Sequence, residues 1–121
     1  MLMYDFITLC LARLLGKRYN EVEAVESRRL KEMQGQYTDK MTTYLPAIRH
    51  TLNLTQKQLA EKVGLTRQTI ISFENRQRSL PWHTYLALVL YFQQYEISRD
   101  FMDRLQLFNP ELLTHQFKSN S

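Results

Sequence analysis

The stretch from residue 54 to residue 75, LTQKQLAEKVGLTRQTIISFEN, carries amide, hydroxyl and basic side chains in close succession. Such groups donate and accept hydrogen bonds, so they suit the recognition of a polar surface. The stretch has no carboxylate pair for acid–base chemistry and no spacing of metal ligands, and the chain shows no nucleophile–base signature and no glycine-rich phosphate loop. These residues therefore indicate binding, and they give little support to an enzyme.

Positive charge is concentrated around this stretch. The 121-residue chain has a formal net charge of +4 and a pI near 9.3. Residues 40–82 hold seven Lys or Arg and two Glu, which is 7 − 2 = +5, so the remaining residues carry 4 − 5 = −1. A basic segment favours an acidic partner such as nucleic acid.

Two short helices are predicted to position these side chains. The first starts at Thr55 and ends before Gly64, where a tight turn needs a positive φ. The second begins at Thr66 and ends near Asn75 or Arg76. Two such helices joined by a short glycine-containing turn make a helix-turn-helix. The first helix presents one apolar stripe, formed by Leu59, Ala60 and Val63.

The second helix is predicted to have an apolar inner side and a polar outer side. At about 100° per residue, Ile70 and Phe73 point inward near Thr66, and Glu74 turns towards the inner side. The outer side carries no acid, and its residues are Arg67, Gln68, Ile71, Ser72 and Asn75. Gln or Asn pairs with adenine, Arg pairs with guanine, and an apolar side chain contacts the thymine methyl group. This face therefore suits the edges of base pairs.

Residues 45–92 resemble the Cro/C1-type (Xre) helix-turn-helix family of bacterial and phage repressors. The resemblance rests on Arg49, on LTQKQLAEKVGLT at 54–66, on the inward Ile70 and Phe73, on Glu74, and on Pro81 at the start of the closing helix. It implies an all-α, lambda repressor-like bundle with additional N-terminal and C-terminal helices. It also implies a cytoplasmic transcriptional regulator of the repressor type, which binds double-stranded DNA without a cofactor.

The resemblance also assigns roles to single residues. Arg49 and Glu74 match the partly buried ion pair of the family, and Gln56 matches a glutamine that binds phosphate and braces the reading helix. Arg76 stands where many members have glycine, so Asn75 or Arg76 must accept the turn. The positions that read bases are Arg67, Gln68 and Ser72. The positions near the DNA backbone are Thr55, Gln56, Lys57, Thr66, Thr69, Asn75, Arg76 and Arg78.

Further helices are predicted on both sides of the motif. A helix over residues 2–15 is followed by one that Asn20 caps and that Gly35 ends or interrupts. Thr42 or Thr43 caps the next helix, with Pro46 in its first turn. Pro81 opens a helix over about residues 82–93. Two more short segments begin at Ser98 and at Asn109.

The terminal segments are rich in apolar residues that a minimal helix-turn-helix does not need. We divide the chain into an N-terminal extension (1–40), a DNA-binding domain (41–95) and a C-terminal extension (96–121). The extensions either enlarge the core or form a homodimer. A dimer suits a palindromic operator, because its two half-sites lie about 34 Å apart. The apolar residues are Leu2, Phe6, Leu9, Cys10, Leu14, Phe101, Met102, Leu105, Leu107, Phe108, Leu112, Leu113 and Phe117.

Other functions stay open at this point. The protein is alternatively an antitoxin, in which the same motif represses its own operon while an extension masks a toxin. A small-molecule sensor site among Tyr85, Tyr91, Phe92 and Tyr95 is a second alternative, although such aromatics more often form core. A nuclease that uses the motif only for docking is a third.

The cysteine, the histidines and the apolar N-terminal run add little to the functional interpretation. Cys10 is the only cysteine, which excludes an intrachain disulfide and suits a reducing compartment. The histidines at 50, 83 and 115 are too far apart in sequence to show the spacing of metal ligands. The apolar run at 2–15 contains Asp5 and Arg13 and is shorter than the about 20 residues of a spanning helix. It predicts a helix that packs on protein, with an interfacial membrane anchor as the minority interpretation.

Overall fold

The computed structural model describes residues 17–110, with side chains from residue 24 onward. Over this range the chain forms five α-helices and no strand, so the predicted all-α fold is confirmed. The helices are Lys17–Thr51 (α1), Gln56–Val63 (α2), Arg67–Glu74 (α3), Trp82–Phe92 (α4) and Glu96–Leu105 (α5). The predicted helix at 2–15, with Cys10, and the apolar residues from 112 to 117 lie outside the described range. The segment predicted to begin at Asn109 also runs beyond it.

Helix α1 is continuous where the sequence predicted several boundaries. It begins at Lys17, so Asn20 lies inside the helix and the predicted cap at Asn20 is wrong. Gly35 is also helical, and a methyl group added to it would meet no atom within 4 Å. The predicted break at Gly35 is therefore wrong, because one glycine weakens a helix by only about 0.5–1 kcal/mol relative to alanine and the helix Lys17–Thr51 continues through it.

The predicted helix start at Thr42 or Thr43 is also wrong. Both hydroxyl groups donate to carbonyl oxygens four residues earlier, Thr42 to Thr38 at 2.9 Å and Thr43 to Asp39 at 3.1 Å. Such bonds occur within a helix, whereas a capping hydroxyl accepts from a backbone N–H.

Pro46 lies inside α1, where it removes one backbone hydrogen bond. The helix nevertheless continues, because Met41, Leu45 and Ile48 form one apolar stripe and are fully buried. Burial of side chains of this size stabilises the fold by about 1.5–3 kcal/mol each. The stripe therefore offsets the lost hydrogen bond.

The predicted helix-turn-helix is confirmed. Thr55 caps α2, Gly64 ends it in the left-handed region at φ 74, and Thr66 caps α3. Pro81 precedes α4 as predicted. Helix α2 packs against both α3 and α4, so the motif is closed by the helix that follows it.

We expect Gly64→Ala to destabilise the domain by about 1–2 kcal/mol, which is the cost of a left-handed conformation for an L-residue. No atom lies within 4 Å of the added Cβ, so steric overlap does not contribute. Gly35→Ala is the matched control, because the same change inside a helix stabilises by about 0.5–1 kcal/mol. Urea unfolding of the two variants measures both effects, and equal losses would contradict the role given to Gly64.

One hydrophobic core joins the described residues from Met41 to Leu107. Helix α1 contributes its stripe, α2 contributes Leu59 and Ala60, and α3 contributes Ile70 and Phe73. The other members are Leu80, Tyr85, Leu88, Val89, Phe92, Met102 and Leu107. The inward positions predicted for α2 and α3 are thus confirmed.

Helix α5 and the segment after it complete this core. Met102 and Leu107 are fully buried, and the Tyr85 hydroxyl donates to the Leu107 carbonyl at 2.6 Å. Burial, with Tyr37 nearby, raises the pKa of Tyr85 well above its usual value. Among the described residues of the C-terminal extension, the apolar side chains at 102 and 107 therefore enlarge the core.

Ser98 does not start a helix, so its predicted capping role is wrong. It lies within α5, fully buried, and its hydroxyl contacts the Phe92 carbonyl at 2.5 Å and the Tyr95 carbonyl at 3.1 Å. The hydroxyl therefore satisfies carbonyl groups at the α4–α5 turn, and the helix begins earlier, at Glu96.

Among the described residues, the chain divides into two compact units, with the boundary between Gly35 and Gln36. The whole core described above belongs to the second unit. The division at residues 40 and 95 stays a prediction about the roles of the terminal segments. Within residues 17–110, none of the helices combines the length and the apolar character that crossing a membrane requires.

Candidate nucleic-acid interface

The outer face of α3 is open to solvent at the positions predicted to bind DNA. Arg67, Gln68 and Asn75 are exposed, and Thr69 and Ser72 are half-buried. Arg67 and Gln68 stand in the first turn of the helix, next to its cap. The face therefore presents a guanidinium group and amides without a carboxylate.

The inner face of α3 holds the helix in place. Ile70 and Phe73 are buried in the core, with exposed fractions of 0% and 1%. The guanidinium carbon of Arg78 lies 5.9 Å from the centre of the Phe73 ring, which is cation–π distance. Arg78 is itself exposed, so this contact leaves its charge at the surface.

Glu74 is the acid of α3, and it is turned away from the outer face into an ion pair. Arg49 donates to its carboxylate from Nε at 2.8 Å and from Nη2 at 3.3 Å. Gln56 donates to the same carboxylate from Nε2 at 2.6 Å. The side chains of Arg49 and Glu74 are only 9% and 5% exposed. Arg49 also donates from Nη1 to the Leu54 carbonyl at 3.0 Å.

This network connects three parts of the motif. Arg49 belongs to α1, Gln56 opens α2 and Glu74 ends α3, so one carboxylate fixes the start of the motif to the end of α3. Because the carboxylate is neutralised and buried, it does not oppose a phosphate at the surface. Gln56 keeps its second amide hydrogen, and Lys57 beside it is exposed.

Hydroxyl caps define where the two helices begin. The Thr55 hydroxyl accepts from the Gln58 N–H at 3.1 Å, and the Gln58 side chain accepts from the Thr55 N–H at 2.9 Å. This is a reciprocal capping box. The Thr66 hydroxyl accepts from the Thr69 N–H at 3.2 Å and lies 2.8 Å from the Thr69 hydroxyl. Thr55, Thr66 and Thr69 therefore stabilise the helix starts, in addition to the contacts with the DNA backbone that are predicted for them.

The end of α3 is closed by two backbone hydrogen bonds. The Arg76 N–H donates to the Phe73 carbonyl at 3.1 Å, and the Gln77 N–H donates to the Ser72 carbonyl at 2.9 Å. This pair of bonds is the Schellman motif, which requires a left-handed residue. Arg76 supplies it at φ 58, whereas Asn75 has φ −86. The turn that the sequence left open between the two residues therefore falls on Arg76.

Two predicted contact residues are engaged within the protein. Arg76 donates from Nη1 to the Asp39 carboxylate at 2.8 Å and from Nη2 to the Thr43 hydroxyl. The Ser72 hydroxyl donates to the Gln68 carbonyl at 2.9 Å, so only its acceptor lone pairs are left for another partner. Both residues lie at the surface, but some of their hydrogen-bond donors are already used within the protein and are not available to another molecule.

The sequence reasoning missed three residues around the interface. Gln58 completes the capping box, and its signal was available as a threonine followed by a glutamine three residues later. Asp39 and Thr43 hold Arg76 and stand 37 and 33 residues before it. No local pattern could have identified them.

The aromatic residues proposed as a sensor site differ in how deeply they are buried, although the rings of Tyr91 and Phe92 lie 5.9 Å apart. Tyr85 and Phe92 are fully buried in the core, and Tyr85 stacks on Trp82 with ring centres 4.7 Å apart. Tyr91 and Tyr95 contact each other edge to face at 5.5 Å. Within residues 17–110, no group of three or more His, Cys, Asp or Glu residues is arranged to hold a metal ion.

Comparison with known proteins agrees with this architecture. A family model described as helix-turn-helix matches residues 47–92. An uncharacterized HTH-type transcriptional regulator of Methanothermobacter thermautotrophicus is 51% identical over 39 residues, which cover 32% of this chain and 56% of that protein. The chain thus spans little more than half the length of this relative. No solved structure matches the chain.

Proposed function

We propose that the protein is a sequence-specific DNA-binding transcriptional regulator of the repressor type, and the helix-turn-helix family model that matches residues 47–92 supports this. Helix α3 lies in the major groove, and its first turn faces the base edges. The observation that supports the proposal most is the difference between the outer and the inner face of α3. Arg67 and Gln68 are exposed on the outer face, while Glu74 is neutralised on the inner face.

Base reading is assigned to the first turn of α3. A guanidinium group at position 67 pairs with guanine and an amide at position 68 pairs with adenine, each with two hydrogen bonds. Ser72 contributes less, because its hydroxyl donates to its own helix. Ile71 is half-buried and lies near enough to the surface to contact a thymine methyl group.

Phosphate binding is assigned to the surroundings of α3. Lys57 and Arg78 are exposed and positively charged, and α2 begins beside Lys57, where the N-terminus of a helix favours a phosphate. Gln56, Thr66, Thr69 and Asn75 add polar contacts at the edges of the groove. These contacts supply sequence-independent affinity that falls as the salt concentration rises.

The chain is proposed to bind a palindromic operator as a homodimer. One α3 per protomer reads one half-site, and the two half-sites lie about 34 Å apart. Among the described residues of the C-terminal extension, Met102 and Leu107 are buried in the core of their own chain. The proposed dimer contact therefore uses other surfaces.

Selection of bound duplexes from a random DNA pool tests the function directly. We expect one preferred site with two-fold symmetry, and two chains per duplex in sedimentation equilibrium. A pool that stays random after repeated rounds would contradict sequence-specific recognition. A preferred site without symmetry, bound by a single chain, would support the proposed regulator function and contradict the proposed homodimer.

Gln68→Ala is expected to weaken binding to the selected site by about 1–3 kcal/mol and to leave binding to random duplex nearly unchanged. The reason is that a lost bidentate pair removes discrimination between bases, while phosphate contacts remain. Lys57→Gln is the matched control, and it should weaken both complexes by a similar factor. Fluorescence anisotropy with the two duplexes measures the ratio, and equal losses for Gln68→Ala would contradict base reading by Gln68.

A further inference from the structure

Arg76 occupies a backbone position that glycine usually fills. Its φ of 58 lies in the left-handed region, where a side chain costs about 1–2 kcal/mol relative to glycine. The side chain is then bound back to α1, through Asp39 and Thr43. The position therefore carries a long charged residue at a conformational cost, and the residue is restrained by a carboxylate from another helix.

Arg76 lies at the end of α3, so its ion pair can affect how the protein binds DNA phosphates. Helix α3 has eight residues, which is about 12 Å of helix, and the major groove is about 12 Å wide. In the proposed complex the two ends of α3 therefore lie near the phosphates that border the groove. Arg76 follows the last turn of α3, between the exposed residues Asn75 and Arg78.

The ion pair removes most of the charge that Arg76 would present to these phosphates. The Asp39 carboxylate lies 2.8 Å from Nη1 of Arg76, and the two side chains are 68% and 53% exposed. A phosphate must compete with this carboxylate for the guanidinium group, and the carboxylate also repels the phosphate. Arg76 therefore contributes little to counterion release as long as Asp39 holds it.

We propose that Asp39 limits the sequence-independent DNA affinity of the protein by holding Arg76 in an ion pair at the end of α3. The inference rests on the proposed function. It assigns to Asp39, which belongs to α1 and lies before the helix-turn-helix, the role of an affinity-determining residue. An ion pair this exposed contributes little to folding, so both partners can be changed without unfolding the domain.

The test compares Asp39→Asn, Arg76→Gln and the double variant with the original chain. Asparagine keeps the size of the side chain at 39, and glutamine keeps a side chain at the left-handed position 76. Dissociation constants are measured on the selected duplex and on random duplex, between about 0.05 and 0.2 M salt. Asp100→Asn is the charge-matched control, because Asp100 is exposed on α5. Thermal unfolding without DNA confirms that all the variants are folded.

We expect Asp39→Asn to tighten both complexes by a factor of about 2–5 at low salt, which corresponds to the strength of an exposed ion pair. The slope of log K against log salt should become steeper by about 0.9, the value for one further phosphate contact. Arg76→Gln alone should weaken both complexes, because it leaves the Asp39 carboxylate without its counter-ion near the phosphates. The double variant, which lacks both charges, should bind about as tightly as the original chain, so the gain should disappear. Asp100→Asn should leave both affinities unchanged.

Three results would overturn the inference. If Asp39→Asn has no effect or weakens binding while the original chain binds its site, the ion pair does not restrain Arg76 and the proposed function stands. If the gain persists in the double variant, Asp39 acts as a repulsive charge without Arg76. If the original chain binds neither duplex, the proposed function fails, and the inference fails with it.

Discussion

Glu74→Ala is expected to destabilise the domain by about 3–5 kcal/mol, because it leaves the Arg49 guanidinium buried without its counter-ion. The Arg49 side chain is 9% exposed, so water cannot replace the carboxylate fully. Gln56 loses the acceptor for its amide at the same time. A domain of this size is stable by about 5–15 kcal/mol, so a loss this large leaves a substantial unfolded fraction on mild warming. Urea unfolding followed by circular dichroism measures the change.

Two further variants separate the ion pair from a general loss of charge. Glu61→Ala removes an exposed acid from α2, and its effect should stay within about 0.5 kcal/mol. Arg49→Met combined with Glu74→Leu removes both charges and should recover most of the stability lost in Glu74→Ala. If Glu74→Ala costs no more than Glu61→Ala, the buried ion pair does not stabilise the motif.

Phe73→Ala is expected to cost about 3–5 kcal/mol, because it removes a buried aromatic ring and leaves a cavity between α3 and the rest of the core. Phe73 is 1% exposed, and its ring also makes a cation–π contact with the Arg78 guanidinium. The loss should appear in the free energy of unfolding. Binding to random duplex should also weaken, since α3 is no longer held against the core.

The control for Phe73 lies two residues away on the same helix. Ile71 is half-buried, so Ile71→Ala removes apolar surface from α3 without opening a core cavity, and its effect on unfolding should be clearly smaller. Phe73→Leu keeps most of the apolar volume and should fall between the two. A similar loss in Ile71→Ala and Phe73→Ala would show that the ring does not hold α3.

The helix-turn-helix was predictable because its signals are local. Thr55, Gly64 and Thr66 each act on neighbouring backbone groups, so a cap or a left-handed turn is fixed within a few residues of sequence. The inward direction of Ile70 and Phe73 follows from helix geometry alone. The exposed first turn of α3 follows from the same geometry.

The errors arose where a distant contact decides between two local interpretations. Thr42 and Pro46 are typical of a helix start in sequence. In the structure, burial of the apolar stripe of α1 stabilises a helix that continues past both residues. Ser98 matches a cap, but its hydroxyl is needed at the carbonyls that end α4. The contact of Arg76 with phosphate stays a prediction, and its ion pair with Asp39 could not be foreseen, because only the packed fold brings Asp39 to it.

The two sides of α3 have a consequence for how the protein can change its target. The residues that hold the helix are Ile70, Phe73 and Glu74, and the residues proposed to choose bases are Arg67 and Gln68. Because these sets do not overlap, we expect substitutions at 67 and 68 to alter the preferred DNA site with little effect on folding. Under the proposed function, a lineage carrying this fold would reach new operators by single substitutions, without passing through an unstable ancestor.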